Sequence, residues 1–173
     1  MPTVRVAEAT DAPTLVSLVR RAYQGERGWT TAAALLNDER MNEAQMLKKI
    51  EDPETTVHVA MDGSRIVGCC ELVRLENGKV HFGTFAVEPE LQAAGVGRYI
   101  LTQTEIAAAK MGVTCVEMTV IAQRPELIAW YQRRGYALTG ETRPFPFHTL
   151  INGGALRDDL YFVVLEKPVS MGV

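Results

Sequence analysis

The stretch Phe85-Ala86-Val87-Glu88-Pro89-Glu90-Leu91-Gln92-Ala93-Ala94-Gly95-Val96-Gly97-Arg98 decides the fold. The apolar run ending at Val87 reads as a buried strand, Pro89 as a loop, and Gly95 and Gly97 as the first turn of a helix. The N–H groups at a helix start have no intrahelical partners and carry partial positive charge. Glycine there lets a phosphate approach the backbone with no Cβ in the way. Arg98 adds a charge-assisted contact. Two common phosphate loops are excluded. A dinucleotide fingerprint needs a third glycine where this chain has Ile100, and Gly95 lies eight residues beyond Val87 rather than directly after the strand. A Walker A loop needs Gly-Lys-Ser/Thr, and Gly97 is followed by Arg98-Tyr99. Taken alone, the Gly-x-Gly also describes a plain tight turn.

Outward from this turn, the chain alternates strand and helix signals. Before it, Val4, Val6 and Ala7 suggest a first strand, and Thr10 or Asp11 caps a helix carrying Leu15, Leu18, Val19 and Ala22 at helical spacing. That helix is expected to stop near Gly25, with a loop over 25–31 and short helices over 32–36 and 43–50. Strands follow over 57–61, 66–75 and 80–87, separated by the hairpin signals Asp62-Gly63 and Asn77-Gly78. After the turn, a helix from Gly95 to Met111 ends at Gly112, and Cys115–Ile121 reads as a strand. Pro125 opens a helix to Arg134, ended by Gly135, and a strand begins over 136–139. The stretch 143–154 reads as a loop and 160–165 as a buried strand. The expected fold is α/β (α+β mixed), a single domain over 1–173 with a central, mostly antiparallel mixed sheet flanked by helices.

Composition narrows the classes. A chain of 173 residues buries roughly 70% of its unfolded surface, enough for a real core. The net charge of −3 lacks the basic footprint of a nucleic-acid binder, so no nucleic-acid partner is expected. Cys69, Cys70 and Cys115 have no disulfide spacing and suit a reducing compartment. The opening Met1-Pro2-Thr3-Val4-Arg5 has no signal-peptide pattern and no stretch reaches the ~18 apolar residues of a membrane span. The expectation is a cytoplasmic protein with no membrane partner. His58 and His148 form no metal-ligand spacing with the cysteines, so no metal is expected.

The wider segment resembles motif A of the GNAT superfamily of acyl-CoA-dependent N-acetyltransferases, V-x-P-x-x-Q-x-x-G-x-G, in Val87, Pro89, Gln92, Gly95 and Gly97. The run Leu127-Ile128-Ala129-Trp130-Tyr131-Gln132-Arg133-Arg134-Gly135-Tyr136 is similar to the family's motif B. The resemblance implies a GNAT-like fold and acetyl-CoA as cosubstrate. It implies that Phe85, Ala86 and Val87 hold the pantetheine arm through their backbone. The pyrophosphate then falls to Gln92, Ala93, Ala94, Gly95, Val96, Gly97 and Arg98. Arg124 stands where many members place a cofactor-touching asparagine. The implied partner is a small-molecule or peptide amine, and a homodimer is allowed.

Acetyl transfer to an amine needs a group that protonates the leaving thiolate and one that takes the amine proton. Tyr131 aligns with the tyrosine often assigned as general acid in the family; the alternative is a core aromatic. His81 is the leading base candidate, because strand period places residues 81, 83, 85 and 87 on one face and neutral imidazole is available near pH 7. Its alternative is a structural histidine. Glu117 on the next strand is a second candidate and Glu71 a weaker one, while a further family position for a catalytic glutamate is occupied by Thr119. The cysteines read as small core residues. Acceptor binding is expected from Tyr23, Trp29, Phe145 and Phe147, with Glu26 and Glu141 able to attract an ammonium group. The alternatives to an enzyme are a noncatalytic acyl-CoA sensor and an interaction domain whose glycines only shape a turn.

Overall fold

Apolar residues at alternate positions build one sheet with a helical layer on each face. The computed structural model of the chain describes residues 2–24, 42–145 and 159–171. The expected helix at 32–36, the loops at 25–31 and 146–158, and the side chain of Tyr23 lie outside the described residues. The strands are β1 (Thr3–Val6), β2 (Thr55–Asp62), β3 (Arg65–Arg74), β4 (Lys79–Val87), β5 (Cys115–Ile121), β6 (Ala137–Pro144) and β7 (Tyr161–Pro168). The helices are α1 (Ala12–Gln24), α2 (Glu43–Glu51), α3 (Val96–Lys110) and α4 (Pro125–Gln132). The sheet order is β1-β2-β3-β4-β5-β7-β6, antiparallel throughout except for the parallel pair β4–β5.

Each face has its own core. Leu15, Leu18, Val19 and Ala22 of α1 pack with Met46 of α2 onto Val57, Val59, Cys69 and Ala86. On the other face Val96, Ile100, Leu101 and Ala108 of α3 pack with Tyr131 of α4 onto Val67, Leu72, Val80, Phe82, Val116 and Met118. Gly68 permits this second layer, since a Cβ there would fall 2.4 Å from Ile100 Cδ1. The start of α2 is fixed by a reciprocal cap: Gln45 N–H donates to Asn42 Oδ1 at 2.9 Å and Asn42 N–H to Gln45 Oε1 at 3.0 Å.

Three boundaries differ from the sequence reading. A 3-10 turn over Pro89–Ala94 precedes α3, so the helix begins at Val96. Helix α4 stops at Gln132 rather than Arg134. Strand β6 continues to Pro144 because β7 templates it through a register shift between Leu138 and Thr142. Residues Arg143 and Pro144 therefore belong to a strand and not to the expected loop.

Candidate active site

The sheet opens where the parallel pair begins. Strands β4 and β5 pair over Lys79–Cys115, Val80–Val116 and His81–Glu117, and then part. Beyond that point β5 continues with β7, and β4 continues with β3 alone. From Phe82 to Val87, one backbone edge of β4 has no strand beside it among the described residues. Such an edge can take an extended ligand as an added strand. A bulge bends β4 here: the register with β3 jumps between Cys69 and Glu71, and Thr84 sits at φ +48°. For a β-branched residue this backbone is strained by about 1–3 kcal/mol. Two bonds hold it, Thr84 Oγ1–H to Glu71 Oε1 at 2.8 Å and Cys69 Sγ–H to the Thr84 carbonyl at 3.5 Å.

The bulge corrects one expectation. Residues 81, 83, 85 and 87 do not share a face. The extra residue switches strand parity, so Phe85 and Val87 turn to the α3–α4 face, beside Phe82, while His81 and Gly83 stay on the α1–α2 face. His81 and the expected pantetheine edge are neighbours across the opening rather than along one face.

On the α3–α4 face lies a cleft of about 540 Å³, bounded by Gln92, Ala93, Gly95, Arg98, Trp130 and Arg134. The two glycines have different work. Gly95 adopts φ +84°, and a Cβ there would meet nothing within 4 Å. Its backbone faces open space. Gly97 is buried, and a Cβ there would press on the Phe85 ring at 3.3 Å, so its small size serves packing. Arg98, Arg133 and Arg134 all line the cleft, and among the described residues none is ion-paired with a carboxylate. Burial and the charges of Arg98 and Arg133 lower the pKa of the Arg134 guanidinium, which stacks over Trp130 at 4.2 Å. An open helix start beside unneutralised cations fits a polyphosphate ligand. The Arg133-Arg134 pair was visible in the sequence as a basic couplet before Gly135, but its direction was not. Arg124 departs from expectation: it is buried at the N-cap of α4, 3.6 Å from Glu126, and is not among the residues lining the cleft.

Tyr131 is buried on the same face, edge-on to Trp130 at 5.1 Å and to Tyr136 at 5.9 Å. With Phe85 6.2 Å from Trp130, an aromatic row runs from the free edge of β4 into α4.

The opposite face carries the acid–base groups. Burial holds the half-buried His81 imidazole below its ordinary range, with Glu117 and Glu71 pulling it back up and Arg143 and Lys49 pushing down. It is therefore neutral near pH 7. His81 Nε2 lies 3.4 Å from Thr119 Oγ1 and 4.0 Å from Glu117 Oε2. Glu117 is committed elsewhere: Arg143 Nη1 and Nη2 donate to its two oxygens at 2.9 and 3.1 Å. Glu71 is likewise held by Lys49 Nζ at 3.0 Å to each oxygen. Both carboxylates thus have each oxygen held by a cation. Lys49, Thr84 and Arg143 were missed in the sequence because they come from three separate elements and no local spacing unites them.

Among the acceptor candidates, Phe145 is buried at the end of β6 with its ring 5.4 Å from that of Phe162. Trp29, Phe147 and Glu26 fall outside the described residues. Glu141 is exposed and accepts from Arg143 Nε at 2.6 Å. Burial pushes the Cys70 thiol up to about 12 and raises Cys69 and Cys115 as well, which leaves them inert as nucleophiles. Among the described residues no group of three or more His, Cys, Asp or Glu is arranged to hold a metal ion, and no helix is long and apolar enough to cross a membrane.

The chain is similar to known proteins in sequence and in fold. A family model described as an acetyltransferase (GNAT) domain matches residues 21–148. A curated relative, the S-(2-succino)cysteine N-acetyltransferase of Bacillus subtilis (strain 168), is 31% identical over 151 residues, covering 81% of this chain and 87% of the relative. Among solved structures, the PaiA N-acetyltransferase from Thermoplasma acidophilum, in complex with coenzyme A, is similar at a TM-score of 0.74 and 17% identity, covering 97% of this chain and 99% of that one. The ribosomal-protein-S18-alanine N-acetyltransferase from Escherichia coli is similar at a TM-score of 0.73 and 18% identity, covering 100% and 97%.

Proposed function

The chain belongs to the GNAT superfamily of acetyltransferases, and we propose that it passes the acetyl group of acetyl-CoA directly to a primary amine brought to the His81 face of the sheet. Acetyl-CoA supplies the activated thioester: a C–N bond forms to the amine, the C–S bond breaks, and CoA leaves as the thiol. The observation that carries this reading is the parting of β4 from β5 directly after His81 and Glu117, with a cationic cleft on one face and a neutral imidazole on the other.

Each residue has one task in this scheme. The amides over Ala93–Gly97, with Arg98, Arg133 and Arg134, receive the phosphates. The free edge at Phe85, Ala86 and Val87 binds the extended pantetheine arm as an added strand. Tyr131 donates its phenolic proton to the departing sulfur. His81 takes the proton that the amine loses, and both groups are reset by exchange with solvent. Glu117 orients Arg143 and is not itself the base.

The curated relative's name makes S-(2-succino)cysteine the first amine to test. Lys49 and Arg143 flank His81, each about one-third exposed, and suit an acceptor that carries carboxylates. The test is thiol release from acetyl-CoA, with hydrolysis subtracted, on S-(2-succino)cysteine, a polyamine and a peptide N-terminus. Amine-dependent release with S-(2-succino)cysteine, absent with its N-acetylated form, is expected. Release confined to the polyamine would reassign the acceptor. CoA binding without amine-dependent release on any of the three would contradict this reading of the reaction.

A further inference from the structure

Glu88 follows the last residue of β4 and is 4% exposed. Its side chain faces away from the cofactor cleft, into a separate cavity of about 620 Å³ behind the turn. Two cations from distant elements converge on it. Arg21 of α1 donates to both carboxylate oxygens through Nε and Nη2. Arg65, at the hairpin between β2 and β3, stands 3.9 Å away and also grips Glu90 at 2.8 Å. The backbone of Glu88 is fastened as well, its N–H to the Val67 carbonyl at 2.9 Å and its carbonyl to the Leu91 N–H at 2.8 Å. One residue is therefore held at both backbone groups and at its side chain, where β4 becomes the Pro89–Ala94 turn.

Burying a carboxylate is costly unless it is paired and hydrogen-bonded. An apolar residue would fill the same space without needing two arginines, so the ion pair supplies direction rather than bulk. That direction is set for the turn whose end presents Gly95 to the cleft. We propose that Glu88 is a positioning residue for the cofactor: clamped by Arg21 and Arg65, it fixes the rotation of the Pro89–Ala94 turn so that the amides before α3 face the phosphates. The inference rests on the reading of the cleft as the acetyl-CoA site.

Glu88→Gln keeps the shape and removes the charge, and Arg21→Gln removes the clamp from its exposed side, which protects folding. Misplacing a binding turn by a fraction of an ångström is expected to raise the acetyl-CoA KM about tenfold in each variant. The amine KM and the kcat at saturating acetyl-CoA should stay within about twofold of the parent. The double variant should be no worse than Glu88→Gln alone, because both changes cut one contact. Calorimetric titration with CoA separates the failures. A parent that binds no CoA would overturn the cofactor reading and this proposal with it. A parent that binds CoA while both single variants bind it equally well would overturn the clamp alone. Parallel increases in both substrates' KM, tracking a fall in Tm, would also overturn it, since they assign Glu88 to stability.

Discussion

The two faces of the sheet are built by different means. The α3–α4 face makes its candidate site mainly from backbone: an open turn at Gly95, a helix start and a strand edge that no strand among the described residues pairs with. The α1–α2 face makes its site from side chains on separate elements, Lys49 on α2, Glu71 on β3, His81 on β4, Glu117 on β5 and Arg143 on β6. Backbone sites suit a ligand whose recognised part is always the same, such as a pyrophosphate and an extended arm. Side-chain sites can be retuned one residue at a time, which suits an acceptor that varies between relatives of one fold. The narrow opening between β4 and β5 is where the two constructions meet.

The largest expected effect breaks the chemistry and spares both faces. Tyr131→Phe should lower kcat by ~10²–10⁴-fold with the acetyl-CoA KM nearly unchanged. An unchanged kcat, with chemistry shown to be rate-limiting, would return Tyr131 to the aromatic core. A second change acts on the backbone-built face alone. Replacing Arg133 and Arg134 together with Ala should weaken CoA binding by ~10–100-fold, the worth of one or two charge-assisted contacts. Steady-state kinetics should show that loss in the acetyl-CoA KM and leave the amine KM alone. A matching loss in the amine KM would blur the division between the faces.

A third change acts on the side-chain face. His81→Ala should lower kcat/KM for the amine by roughly 10²-fold and remove the acid limb of its pH profile. Because burial lowers the folded imidazole's pKa, that limb should lie below about pH 6.5 in the parent. A profile unaltered by the substitution would assign His81 to structure.

The smallest effect is on stability. Burial also lowers His58 in β2. A histidine depressed in the folded state favours folding fully above its unfolded value. That contribution is lost as pH falls through about 6.5 toward the folded value, because the unfolded chain takes up the proton first. Calorimetric Tm should therefore drop between about pH 7 and pH 5, and His58→Leu should flatten part of that drop. An equal drop in the variant would place the sensitivity on other groups, His81 among them.

What could be read from the sequence follows the same division. The strand–turn–helix at Val87–Arg98 was legible because glycines and a proline stand at fixed spacing, and the antiparallel run β2-β3-β4 followed from the Asp62-Gly63 and Asn77-Gly78 turns. The face of His81 was misread because period-2 alternation assumes no inserted residue. The bulge at Thr84 is held by a part-buried hydrogen bond to Glu71, which lies on the preceding strand and outside any local signal. The pairing of Glu117 with Arg143 was not legible because Arg143 lay in a stretch read as loop. Only the pairing of β6 with β7 carries Arg143 to Glu117. The burial of Phe145 was hidden for the same reason, since aromatic residues in an apparent loop do not announce that a strand end buries them.

The central claim is that cofactor and acceptor meet across the opening between β4 and β5, each from its own face. A crystal structure of the protein with bound CoA tests it most directly. The account places the phosphates against the amides before α3 and beside Arg98, Arg133 and Arg134, and the pantetheine along Phe85–Val87. The sulfur should then lie in the opening, within about 3–3.5 Å of the Tyr131 hydroxyl. A CoA lying on the Lys49, His81 and Arg143 face, or one whose sulfur ends away from the opening, would contradict it.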